Sequence, residues 1–263
     1  MTIEQRASIE DKLKTAVAEI KGRVEVRGAL LWGNAMVRTF NVNSEGTENI
    51  PEGPCIYVIN HTTHKWGFVR RRQLFPDVSI AQRETHKNSG RRTKVVARYN
   101  PKLDPDPEKA RQQRKTTEYL KTLQYRKRRY KAGGLIPINT DGIDRDFFEA
   151  ALDAKTHGRS IIISGEDVHR PEHALDNPHT NGAAKLAMYL GLNVVPTFIS
   201  GATSWRPWSK VTISYGPQLS PPSPEQLSKG RGNARREFAG QIVDGLRGQQ
   251  VISTASHQAY IAR

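Results

Sequence analysis

The chain has one cysteine in 263 residues. Cys55 has no partner for an internal disulfide, which excludes a disulfide scaffold and fits a reducing compartment. It lies in the apolar run "PCIYVI" and reads as a small core side chain. No apolar stretch approaches the roughly 18 residues needed to cross a bilayer. The first residues, "MTIEQRASIEDKLK", are charged and lack the apolar segment of a signal peptide. These absences predict a protein kept in the cytosol. There is also no internal repeat and no low-complexity linker.

What the chain has in excess is positive charge, and the excess is localised. The net charge is +15. Residues 65–131 hold 21 Lys+Arg against 6 Asp+Glu, and the remainder holds 20 of each. One segment, with "VRRRQ", "SGRRTK" and "YRKRRYK", therefore carries the whole surplus. Such a segment is either a solvated, self-repelling surface or a face for polyanions, meaning phospholipid headgroups or nucleic acid. It offers only Tyr119, Tyr125 and Tyr130 for stacking and carries no nucleic-acid motif, so nucleic acid ranks last.

Hydrophobic periodicity predicts alternating helices and strands. Helices are expected over 3–22 and 29–40, within an N-terminal region of about 1–40. Strands are expected at "FNVNSE", "CIYVIN", "DVSIAQ", "KVVARY" and "AGGLIPIN". A long helix should start after "DPDP", where Asp and Pro suit a first turn, and run to about Tyr130. "DRDFFEAALDAKTHG" reads as a helix with Phe147, Phe148, Ala151 and Leu152 on one face and Gly158 as its stop. The strand "RSIIISGE", the helix "NGAAKLAMYLG" and the strand "LNVVPTFISG" follow. "SKVTISYG" alternates like a sheet-edge strand. The last segment, "SPEQLSK…ARREFAGQIVDGLRG", reads as one helix or a pair. Runs such as "SIIIS" imply strands covered on both faces. The fold class is α/β: a single domain over 1–263, with a mainly parallel central sheet flanked by helices and a basic insertion at about 65–131.

The order of segments resembles the glycerolipid acyltransferases of the lysophosphatidic acid acyltransferase type, from about residue 29 to residue 249. "ENIPEGPCIYVINHTTHKW" is similar to that family's strand followed by Asn-His and an Asp five residues after the His. "GGLIPINTDGIDRDFFEAALDAKTHGRSIII" is similar to its second block. "SGEDVHRPEHALDNPHTNGAAKLAMYLGLNVVPTFISG" is similar to its third and fourth, where the family has Phe-Pro-Glu-Gly-Thr-Arg, a small-residue helix and Val-Val-Pro. "KVTISYGPQLSPP" matches its late strand and Gly-Pro turn. The resemblance implies a glycerol-3-phosphate acyltransferase-like fold. It also implies an enzyme of phospholipid synthesis, moving a fatty acyl group from acyl-CoA or acyl carrier protein to a lysophospholipid or glycerol-phosphate acceptor. Neither a bound cofactor nor a metal is implied. Localisation would be cytoplasmic, peripheral to the inner face of the membrane and its anionic lipids.

Carried over residue by residue, the resemblance makes His61 the base that takes the hydroxyl proton. Glu166 falls on the third-block acid, Asn60 on the residue before the His, and Thr140 on an Arg of the second block. Gly-Thr-Arg becomes Asp167, Val168 and His169, with Arg170 one place later. The orienting Asp falls on Trp66, whose indole has one N–H donor and no acceptor. Asp167, Glu166, His64 or a backbone carbonyl would then have to receive the imidazole proton. The expected catalytic residues are His61, Glu166 and Asp167, and the expected substrate-binding residues are Asn60, His64, Thr140, His169 and Arg170. A catalytically silent relative that binds anionic lipid or another polyanion through 65–131 is the alternative.

Two further readings come from the residues alone. His61, His64, Glu166, Asp167, His169 and His173 are chemically suited to a metal such as zinc, although their spacing matches no standard motif. Of the four tryptophans, Trp32 reads as core. Trp205 and Trp208, in the polar "SWRPWSK", read either as membrane-interface anchors or as loop packing.

Overall fold

The computed structural model describes residues 38–60, 76–98, 106–139, 145–165, 180–202, 208, 210–228 and 230–262, together with Leu13, Ala16, Val17, Ile20, Val24 and Ala35. The chain forms two compact units. The smaller comprises Met1–Leu31 and Val96–Ala150, the larger Trp32–Val95 and Ala151–Arg263.

The larger unit begins with β1 (Asn41–Glu45) and β2 (Ile56–Ile59), followed by α1 (Pro76–Ser89) and the first half of β3 (Thr93–Arg98). The smaller unit takes the second half of β3, then α2 (Pro107–Arg114), α3 (Thr117–Ala132), β4 (Ile136–Ile138) and the start of α4 (Arg145–Thr156). The larger unit resumes with β5 (Ser160–Ser164), α5 (Asn181–Leu190), β6 (Val194–Ser200), β7 (Lys210–Tyr215), α6 (Pro224–Ser228) and α7 (Arg231–Ile261). Strand β3 belongs to both units. Thr93–Val95 pair with β5 and Val96–Arg98 with β4. The strand order is β1-β7-β6-β2-β5-β3-β4, parallel from β6 to β4, with β7 antiparallel to β6 and parallel to β1. This is the α/β class that the alternation predicts.

The central strands are buried because their sequence is apolar without alternation. Every residue of β2 and β6 is buried, as are the first four of β5. That pattern needs helices on both faces. Helix α5 packs closely through Ala183, Ala184 and Ala187 and ends on Gly191 in the left-handed conformation. Helix α7 comes closest to the sheet at Gly245, where a Cβ would lie 2.6 Å from Cγ of Pro196.

Five expectations need correction. "DVSIAQ" is not a strand but the first half of α1, opened by Pro76. Its buried residues Asp77, Ile80, Ala81, Glu84 and Thr85 follow a helical period, which outweighs the apolar look of a short run. The helix after "DPDP" is two helices. Asp106 caps the first through the Glu108 and Lys109 amides, and Thr116 caps the second through the Tyr119 amide. Strand β7 is not at the edge, because β1 pairs outside it. Leu152 points outward on α4, and Ala154 takes the core position. Helix α7 continues to Ile261, thirteen residues past the expected "GLRG". The expected helices at 3–22 and 29–40 lie largely outside the described residues.

Candidate functional site

Two crossovers that leave neighbouring strands in opposite directions mark one end of the sheet as the place for a ligand crevice. Strand β2 connects through α1 to β3, two places to one side. Its neighbour β5 connects through α5 to β6, two places to the other side. Right-handed crossovers in opposite directions use opposite faces, and ligands in open α/β sheets bind outside the carboxyl ends of strands where this happens. The chain leaves β2 through Asn60 into His61, and leaves β5 through Gly165 into Glu166.

Those strand ends are fixed by hydrogen bonds that extend the ladder past its last regular pair. The Gly165 amide donates to the Ile59 carbonyl at 2.8 Å. The Asn60 side chain donates from Nδ2 to the Ile199 carbonyl at 3.0 Å, and its Oδ1 accepts from the Ile199 amide at 2.8 Å. A carboxamide presents a donor and an acceptor side by side, as a peptide unit does. Asn60 therefore stands in, through its side chain, for one more residue of backbone pairing. The side chain is buried, and the two bonds satisfy two main-chain groups of Ile199. At Gly165 a Cβ would lie 3.0 Å from Cδ1 of Leu246 and 3.1 Å from Cγ1 of Val58, so the residue before Glu166 is held to glycine by close packing.

Three titratable groups in the core of the sheet are held neutral by burial. Burial pushes the Cys55 thiol up to about 11, partly offset by hydrogen bonds to Tyr57 and Ser160. Burial also holds the Tyr57 and Tyr215 phenols well above their usual range, and the two rings pack edge to face with centroids 6.1 Å apart. A thiol in this state supplies almost no thiolate near neutrality, so Cys55 is core and not a nucleophile. Native protein at pH 8 is expected to resist iodoacetamide until it unfolds. Mass spectrometry showing full modification of folded protein within minutes would overturn that assignment.

A second polar group at the same edge has no counterpart in the sequence reading. Gln249, Ser253 and His257 recur every four residues on the inner face of α7. Gln249 Oε1 accepts from Ser214 Oγ at 2.5 Å, and Ser253 Oγ donates to Ser200 Oγ at 3.0 Å. The His257 ring lies against Gly201, within 2.7 Å of where a Cβ would be. The i, i+4, i+8 spacing was the available signal. It was masked because the same face of α7 is apolar earlier, at Phe238, Ile242 and Leu246.

Of the expected site residues, Asn60 is described, and the structure gives it a positioning role. His61, His64, Thr140, Glu166, Asp167, His169 and Arg170 lie outside the described residues, as do Trp66, His173, Trp32 and Trp205. Among the described residues no cluster of His, Cys, Asp and Glu is arranged to hold a metal ion.

The basic surplus becomes surface in α2 and α3. Arg111, Lys115, Lys121, Arg128 and Lys131 are exposed, whereas Arg126 and Arg129 are partly buried. Lys127 is committed to Asp146 at 2.8 Å, and this bond holds the Asp146 carboxyl below its usual range.

No protein-family profile matches the chain, and no curated protein matches it. Solved structures do match, among them the 1-acyl-sn-glycerophosphate (LPA) acyltransferase PlsC from Thermotoga maritima, at 17% identity over 91% of this chain and 82% of that one, with a TM-score of 0.43.

Proposed function

We propose that the chain is an acyltransferase that carries a fatty acyl group from an acyl-CoA or acyl carrier protein thioester to the hydroxyl of a lysophospholipid or glycerol-phosphate acceptor. The observation that carries this reading is the clasp of Asn60 on Ile199. It fixes the residue before His61 at the carboxyl end of a fully buried strand, beside the strand that leads into Glu166. The order of the four sequence blocks gives that edge its chemistry. His61 takes the acceptor's hydroxyl proton as the oxygen attacks the thioester carbonyl. The carbon–sulfur bond then breaks, and the thiolate takes up a proton as it leaves. Glu166, His64, Thr140, His169 and Arg170 hold the phosphorylated acceptor, and Asn60 positions the strand end from which His61 follows. Asp167 receives the imidazole proton in place of the residue at 66.

The test is thin-layer analysis of products from radiolabelled acyl-CoA and a panel of lysolipids. Labelled diacyl product that depends on His61 supports the reading. A protein inert towards every donor and acceptor, yet bound to anionic vesicles, would instead be a silent lipid binder.

We further propose that the protein works at a membrane surface, in part through its smaller unit. Leu13, Val17, Ile20 and Val24 are helical and each more than half exposed, a spacing that places apolar residues along one face. The exposed cations of α2 and α3 supply attraction for anionic headgroups, about 1 kcal/mol per cation near the surface. Among the described residues no helix is long and apolar enough to cross a membrane. Reversal of Arg111, Lys121, Arg128 and Lys131 to Glu is expected to weaken binding to anionic vesicles by at least about a hundredfold. It should also flatten the salt dependence, because exposed charges are screened beyond roughly 8 Å at physiological ionic strength. Unchanged co-sedimentation would remove the membrane role from these helices. Tighter binding of the wild type to DNA than to vesicles would assign them to nucleic acid.

A further inference from the structure

Helix α7 changes character along its length. It runs along β6 in the strand's own direction: Gly245 meets Pro196, Ser253 meets Ser200, and His257 lies against Gly201. Its last turns therefore reach the same sheet edge as Asn60. Up to Arg247 its outward positions include the charged Arg231, Arg236, Glu237, Asp244 and Arg247, and Asp244 and Arg247 lie 4.0 Å apart. From Gly248 to Ala262 no Asp, Glu, Lys or Arg occurs. Over this stretch the sheet-facing residues are polar, and the outward ones are mostly apolar: Val251, Ile252, Ala255 and Ala259, with Gln258 among them. Val251 is 71% exposed, Ile252 48% and, about two and a half turns on, Ile261 56%. That reverses the ordinary amphipathic arrangement, in which apolar residues face the core.

A tryptophan is exposed in a connection that is tied to the end of α7. Trp208, in the β6–β7 connection, is 75% exposed, and its amide donates to the Thr39 carbonyl at 2.8 Å. Two residues on, Lys210 ties this connection to the end of α7. Its Nζ donates to the Tyr260 carbonyl at 2.7 Å and lies 4.9 Å from the centre of the Tyr260 ring.

We propose that the outer face of α7 from Val251 to Ile261, together with Trp208, is a seat on the lipid bilayer, separate from the basic helices. The occupant is argued from charge and residue type. The one acidic side chain close by, Asp244, is paired with Arg247, and no Asp or Glu follows it, so beyond that ion pair the stretch offers an anionic headgroup layer no negative charge. Indole and aliphatic side chains at a helix surface suit the boundary between headgroups and acyl chains. The seat lies at the sheet edge where an amphiphilic acceptor would enter. It rests on the acyl-transfer reading only for that direction of entry, and vesicle binding is measured without turnover.

The test uses the full chain with neutral phosphatidylcholine vesicles in high salt, where the electrostatic contribution of α2 and α3 is suppressed. Wild type is expected to retain weak binding. Val251→Glu combined with Ile252→Glu is expected to lower it by about tenfold or more. The milder Val251→Ser/Ile252→Ser pair serves if the first does not fold, as judged by circular dichroism and Tm. Brominated lipid should quench wild-type tryptophan emission more strongly than that of Trp208→Phe. Unchanged binding together with unchanged quenching would overturn the proposal. So would a wild-type dimer in sedimentation that the Val251/Ile252 substitutions dissociate, because the face would then belong to a second copy of the chain.

Discussion

His61→Ala is expected to lower acyl transfer at least about a hundredfold, and up to about 10⁴-fold, with the Tm unchanged. General base catalysis by a positioned side chain contributes on that order. The neighbouring position tests what orients the imidazole. In serine proteases, losing the orienting aspartate lowers turnover about 10⁴-fold through the wrong tautomer, and an indole cannot replace it as acceptor. With Asp167 in that role, Asp167→Asn should approach the His61→Ala loss, while Trp66→Asp should change activity by no more than a few fold. The opposite pattern, an inert wild type activated by Trp66→Asp, would mean that the natural site lacks an acceptor and that the chain binds lipid without turning it over. Activity that survives His61→Ala would sink the mechanism.

The parts of the fold that could be read in the sequence are those where one physical rule acts alone. Strands β2, β5 and β6 are continuous apolar runs, and only a doubly covered sheet buries such runs. Gly158 and Gly191 end their helices with positive φ, as their positions predict. Helix α1 shows what happens when two rules compete. Its buried face is half polar: Glu84 is almost fully buried and accepts from Ser44 Oγ at 3.1 Å and Lys87 Nζ at 3.5 Å. A hydrophobic scan sees only Val78, Ile80 and Ala81 there, and three residues in alternation look like a strand. The second half of α7 escaped for the same reason in reverse. Its inner face is polar because the strands opposite present Ser214, Thr212 and Ser200, and no sequence rule says which helix meets which strand. At the candidate site, the Asn-His pair at a strand end was legible as local chemistry. The partner of Asn60 was not, because Ile199 lies 139 residues away and offers only its backbone.

That clasp makes Asn60→Leu the substitution expected to harm stability most. It removes two hydrogen bonds and leaves the buried Ile199 amide and carbonyl unpaired, at about 1–3 kcal/mol for each stranded group. A loss of about 2–5 kcal/mol corresponds to a fall in Tm of roughly 5–15 °C for a chain of this size. Activity measured well below that Tm should fall further than the folded fraction does, because His61 follows directly from the loosened strand end. Asn60→Asp separates the two bonds. Its carboxyl still accepts from the Ile199 amide but, when ionised, faces the Ile199 carbonyl with no proton to give. Burial and that carbonyl both favour the protonated acid, so its pKa in the folded state should lie above its unfolded value of about 3.9. The sign follows from linkage: the variant should come closest to wild type below about pH 4 and lose stability as pH rises through the folded pKa. Asn60→Leu has no titrating group at this position and should show a deficit that does not vary with pH. Thermal melts of the three proteins between pH 4 and 8 decide the matter. Wild-type stability of Asn60→Asp at every pH, beside a destabilised Asn60→Leu, would show that the Ile199 carbonyl bond contributes nothing, and two variants with wild-type Tm would show that the clasp does not hold the strand end.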